Sequence, residues 1–149
     1  MPYLVCVAVV LFGCGSSSAS QPREPRAVAV LPDVAFDQLD HDQRVQFMKQ
    51  TVVPAMQPVF QRHDAKAFAA FGCKTCHGES VATGSFEMPN PNLPALDFAD
   101  LSRYEPADLE WMKTEVKPAM AKLLRRPEYS EDAPDGFGCT HCHPLGTTR

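Results

Sequence analysis

The chain has 149 residues, 44% of them hydrophobic and 21% charged, a balance that supports one packed domain and excludes both intrinsic disorder and a large multidomain enzyme. With 14 Lys and Arg against 18 Asp and Glu the formal charge is -4, which gives no basic field along a phosphate backbone and argues against nucleic acid as a partner. Six cysteines are many for a reduced cytosolic chain of this size.

The first segment reads as an address. Leu4 to Phe12 is a nine-residue apolar run, too short to span a bilayer, that ends in Leu11-Phe12-Gly13-Cys14. It has the shape of a signal core and resembles a bacterial lipoprotein signal over residues 1–13. Cleavage before Cys14 would leave that thiol to carry lipid, and Gly15 to Ser20 with Pro22 and Pro25 continues as a tether over residues 14–32. The expected location is therefore the periplasmic side of a bacterial membrane, with the membrane a partner through the lipid anchor.

The first helix is expected to begin near residue 41, because Asp40 followed by Gln43 has the form of a capping box. Met48, Val52, Met56 and Val59 recur at four- and three-residue steps and share one apolar face. Pro54 interrupts that face, so the helix should kink or restart there. A further short helix is expected over Asp64 to Phe71, leading into Cys73-Lys74-Thr75-Cys76-His77.

That pentapeptide has the spacing that attaches c-type haem. Two thiols three residues apart reach the two vinyl groups of one porphyrin, and the next residue sets its imidazole under the iron. A proline loop, Met88 to Pro94, follows. A second helix should begin near 106, with Glu105 before Pro106 at a first helical position and Met112, Val116, Met120 and Leu123 on its apolar face. Pro118 interrupts it as Pro54 interrupts the first, and an acidic loop, Pro127 to Gly136, leads to Cys139-Thr140-His141-Cys142-His143.

The second half thus repeats the first. Phe47 to Phe60 against Trp111 to Leu124 gives 6 identities in 14 at an offset of 64, and Phe71 to Gly78 against Phe137 to Pro144 gives 5 in 8 at an offset of 66. We take residues 33–97 and 98–149 as the two copies. From the chain's own composition roughly 0.008 attachment sequences would arise by chance, so two signify chemistry. The expected cofactors are two covalently bound haem c groups, held by Cys73, Cys76 and His77 and by Cys139, Cys142 and His143. A zinc-bound structural module is the lesser alternative, because the two cysteine pairs stand 66 residues apart, outside the spacing of compact zinc sites.

The sixth ligand of each iron is the second question. Methionine thioether and histidine are the usual choices, and Met56 and Met120, 17 and 19 residues ahead of Cys73 and Cys139, occur in both copies and rank first. Met48 and Met112 rank second, with Met88 a third candidate for the first haem. A methionine stripe at helical spacing also serves simply as core. His41 and His63 have no assigned role, and His141 is expected to face away from His143, beside solvent or a propionate.

A lipoprotein-type start followed by repeated helix, methionine and Cys-x-x-Cys-His resembles the multihaem c-type cytochromes, particularly the tetrahaem cytochrome subunit of photosynthetic reaction centres, over residues 36 to 144. In that family the methionine on the preceding helix is an axial ligand, which by position indicates Met56 and Met120. The resemblance also implies haem attachment outside the cytoplasmic membrane. The expectation is a mainly α, small helical dihaem domain of two tandem helix-Met-loop-CxxCH repeats, with no extended sheet. It would pass single electrons between periplasmic or membrane redox proteins, acting as a carrier without a catalytic group. The alternative is a haem enzyme or sensor, peroxidase-like or gas-binding, with one open iron site.

Overall fold

The computed structural model describes residues 30–146, so the expected signal, Cys6, Cys14 and almost all of the tether lie outside the described residues. From Leu31 onward the chain is one compact unit, mainly helical. Among the described residues there is no extended sheet, only isolated bridges at Leu96 with Leu145, Glu128 with Phe137 and Ser130 with Ala133. No described helix is long and apolar enough to cross a membrane.

The first helix opens as its cap predicts. Asp40 accepts from the Gln43 N–H at 2.9 Å and the Gln43 side chain accepts from the Asp40 N–H at 3.0 Å, which satisfies two of the donors a helix start leaves unpaired. From there α1 (His41–Phe47) runs into a π-helical turn, Met48–Val52, and on into α2 (Val53–His63). The junction residues Met48 and Val53 keep right-handed helical dihedrals, so the helix is continuous.

The interruption expected at Pro54 takes the form of this wide turn. Proline lacks an N–H, and its ring collides with the carbonyl four residues back. Opening the turn so that the Val53 N–H reaches the Met48 carbonyl, five residues back, moves that carbonyl aside and lets the helix continue. The second helix solves the same problem in the same way. After α3 (Cys73–His77), α4 (Pro106–Trp111) opens with proline in its first turn and passes through a π-helical turn, Met112–Val116, into α5 (Lys117–Leu124). There the Lys117 N–H reaches the Met112 carbonyl just ahead of Pro118.

The two long helices pack reciprocally, α2 against Met112–Val116 and α5 against Met48–Val52. Their contact holds one core cluster, Val52, Met56, Phe60 and Trp111, in which the Phe60 and Trp111 rings meet edge to face with centroids 4.9 Å apart. Burying each such side chain contributes about 1.5–3 kcal/mol. Ala121, Leu124 and Phe137 form a second cluster, and Met48 and Met120 touch both.

The short helix expected over Asp64 to Phe71 is a run of turns instead. Asp64 leaves α2 in an extended conformation and its carboxylate accepts from the N–H groups of Lys66 and Ala67 at 2.9 and 2.8 Å, an Asx turn that competes with helix. The turns carry Phe68 and Phe71 back onto Phe60, with ring centroids 5.0 and 4.8 Å away. The acidic segment after α5 is a loop, as expected.

Candidate functional site

Both attachment sequences begin from an extended glycine and close on themselves by one local bond. In the first, the Gly72 N–H donates to the Thr75 hydroxyl at 3.1 Å and Cys73 to His77 form α3. In the second, the Gly138 N–H donates to His141 Nδ1 at 3.1 Å and Cys139 to His141 make a single 3-10 turn. His141 therefore occupies the place of Thr75. Its ring is turned back as a cap, tilts against Phe137 with centroids 4.9 Å apart, and lines the cavity described below. Since Nδ1 accepts there, its proton is assigned to Nε2.

The two histidines that follow are presented differently. His143 Nδ1 pairs with the Pro94 carbonyl at 3.0 Å, which places the proton on Nδ1 and leaves Nε2 as a lone-pair donor. This is how proteins orient an imidazole that binds a metal. The His77 ring meets Phe86 edge on, with centroids 5.5 Å apart, and its Nδ1 is buried with no hydrogen-bond partner. Burial lowers the His77 pKa below the ordinary imidazole value, and the Phe86 backbone opposes that shift.

Burial also governs the thiols. The Cys76 thiol is pushed up from 9.0 to about 11 by desolvation, with Cys73 adding to it. Cys142 is pushed up from 9.0 to about 12 by desolvation, then by Cys76 and by Cys139. All four cysteines are unbridged. The raised values at Cys76 and Cys142 run opposite to the lowered value of an activated thiolate. That Cys142 responds to Cys76 also means the two attachment sequences are neighbours in space.

The connection between them runs through residues 90–96. Asn90, 3% exposed, donates from its side chain to the Cys76 carbonyl at 2.9 Å and from its main chain to the Cys142 carbonyl at 3.0 Å. Beyond it, the Leu96 N–H donates to the Pro144 carbonyl and the Leu96 carbonyl accepts from the Gly146 N–H, both at 2.8 Å. Gly78, with φ +69°, ends α3 where a Cβ would stand 3.1 Å from the Asn90 side chain, so the close approach needs glycine.

Both attachment sequences open on one cavity of about 1650 Å³. This exceeds the roughly 300–1,000 Å³ of a site for a single small molecule. All four cysteines, His77 and His143 line it, and so do all five candidate methionines, Met48, Met56, Met88, Met112 and Met120. Met56 is 2% exposed within the core cluster, whereas Met48, Met112 and Met120 are half-buried around it. Met56 thus meets the plain core role of a helical methionine stripe and also reaches the cavity wall. The residues present fit haem on this chemistry: paired thiols, an orphaned His77 nitrogen, an oriented His143 and thioether sulfurs around one mainly apolar space. They fit zinc poorly, because no three His, Cys, Asp or Glu side chains come together among the described residues.

Sequence reasoning missed three participants. Asn90 and Pro94 act through bonds that span 14 and 49 residues, and nothing in local periodicity marks them. The third is His63, which lies flat on Trp111 with centroids 3.9 Å apart and an interplanar angle of 1°, while its Nε2 pairs with Asp108 at 2.7 Å. All three residues of that group line the cavity. No family model, no curated protein and no solved structure matches the chain.

Proposed function

We propose that the chain is a dihaem c-type cytochrome, lipid-anchored on the periplasmic side of a bacterial membrane, that passes single electrons between redox proteins. The observation that carries this reading is the convergence of two Cys-x-x-Cys-His sequences on one cavity too large for a single small ligand, with His143 already oriented through Pro94. Cys73 and Cys76, and Cys139 and Cys142, would each hold one porphyrin through two thioethers. His77 and His143 would bind iron through their ring nitrogens, with Met56 and Met120 as the candidate thioether ligands. Bound haem supplies a one-electron couple at iron. The chain's own part is to exclude water with Phe60, Phe68, Phe71, Trp111 and Phe137 and to hold the ligands at fixed geometry. Neither role needs a catalytic base or a substrate.

A second reading, a haem enzyme or sensor with one open iron, draws on His63. An imidazole held by Asp108 on the cavity wall is the kind of group that moves a proton to or from a small ligand. The first test is to express the chain without residues 1–13 alongside a c-type haem maturation system, and to count haem by pyridine haemochrome absorbance and intact mass. Two haems per chain are expected; a haem-free chain with bound zinc overturns the proposal. Adding carbon monoxide to the reduced protein separates the two haem readings, because two six-coordinate irons leave the spectrum unchanged and an open iron shifts it.

A further inference from the structure

We infer that Asn90 is a positioning residue that fixes the separation and mutual orientation of the two haem groups, an inference that rests on the dihaem reading above. All four polar groups of this buried residue are used. Its side chain donates to the Cys76 carbonyl at 2.9 Å and accepts from the Asn92 N–H at 2.9 Å. Its main chain donates to the Cys142 carbonyl at 3.0 Å, and its carbonyl accepts from the Leu93 N–H at 3.1 Å.

The two carbonyls it holds are equivalent. Cys76 and Cys142 are the second cysteine of each attachment sequence, 66 residues apart, and each directly precedes the histidine that faces the cavity. One sequence is gripped by the side chain of Asn90 and the other by its backbone. The two cysteine carbonyls are therefore bridged directly by a single residue. Gly78 closes the grip from the other side, since a Cβ there would stand 3.1 Å from Asn90 Nδ2. A buried amide of this kind holds its geometry firmly, because any shift leaves a donor or acceptor unpaired away from water. Asn90 contributes no group to either iron. It acts on electron exchange between the two centres through their placement alone.

The test uses the haem-loaded protein and its Soret circular dichroism. Two porphyrins held close at a fixed angle give a bisignate couplet whose amplitude depends on their separation and orientation. Asn90→Asp keeps the acceptor for Asn92 but cannot donate to Cys76, and Asn90→Ala loses both bonds; each keeps the main-chain bond to Cys142. The expected result is two haems per chain, axial-ligand absorbance bands like those of the unmodified protein, and a couplet reduced at least two-fold in both variants. An unchanged couplet in variants that retain two haems overturns the inference, as does a two-haem unmodified protein that shows no couplet. If neither variant takes up two haems, Asn90 is a folding residue and the positioning role is likewise overturned. Absence of covalent haem from the unmodified chain is a different failure, that of the dihaem reading itself.

Discussion

Thiol reactivity in the haem-free chain tests the structure directly. Alkylation proceeds through the thiolate, so its rate follows the ionised fraction. At about pH 8 a thiol with its ordinary pKa is roughly 10% ionised, whereas one held two pH units higher is roughly 0.1% ionised. With Cys76 pushed up to about 11 and Cys142 to about 12, and with the greater nucleophilicity of a more basic thiolate offsetting part of the lost ionisation, iodoacetamide should label both at least about ten-fold more slowly in the native chain than after unfolding in guanidinium. Quenching at intervals and mapping the labelled peptides by mass spectrometry gives both rates. The same shifts fix a pH dependence. The folded state holds these protons more tightly than the unfolded one, so the stabilisation is fully present below pH 9.0 and is lost as pH rises toward about 11 for Cys76 and about 12 for Cys142. The slope is about 1.4 kcal/mol per pH unit for each thiol in that window. Native rates within three-fold of the unfolded ones for both cysteines would refute the desolvated placement of Cys76 and Cys142.

Three further outcomes are expected. In the haem-loaded protein, Met120→Ala should change the spectrum of one haem only and lower its potential; an unaltered spectrum removes Met120 as a ligand, and Met56→Ala tests the first haem likewise, with about 2–5 kcal/mol of added destabilisation from its buried position. Asp40→Ala removes the capping box of α1 and should lower stability in urea by about 1 kcal/mol, with no change in haem content. Asp108→Ala breaks the pair with His63, whose carboxylate side is exposed, so its cost in the same assay should stay below about 1 kcal/mol; a loss of several kcal/mol would show that the stacked His63 depends on that carboxylate for its place on Trp111.

What the sequence revealed was local. Helix starts at His41 and Pro106 were legible because Asp40, Gln43 and Pro106 act on their immediate neighbours. The prolines were legible as obstacles but not in their outcome. Pro54 and Pro118 would break isolated helices, yet reciprocal packing holds each helix on course and the backbone widens into a π-turn. Over Asp64 to Phe71 the helical pattern lost to an Asx turn and to aromatic contacts with Phe60. In the candidate site, the cysteines and histidines announced themselves by spacing, while Asn90, Pro94 and the capping role of His141 were invisible. Their partners are set by how the chain returns on itself, and a polar residue in a proline-rich loop carries no signature of what it will meet.

The loop at residues 90–96 sets where the chain can be cut. It follows the first Cys-x-x-Cys-His sequence, yet besides the Asn90 bond to Cys76 its bonds run to Cys142 and His143 in the second and to Pro144 and Gly146 just beyond it. A chain severed between residues 97 and 98 would separate His143 from the carbonyl that orients it, so the N-terminal piece alone would hold what the C-terminal histidine depends on.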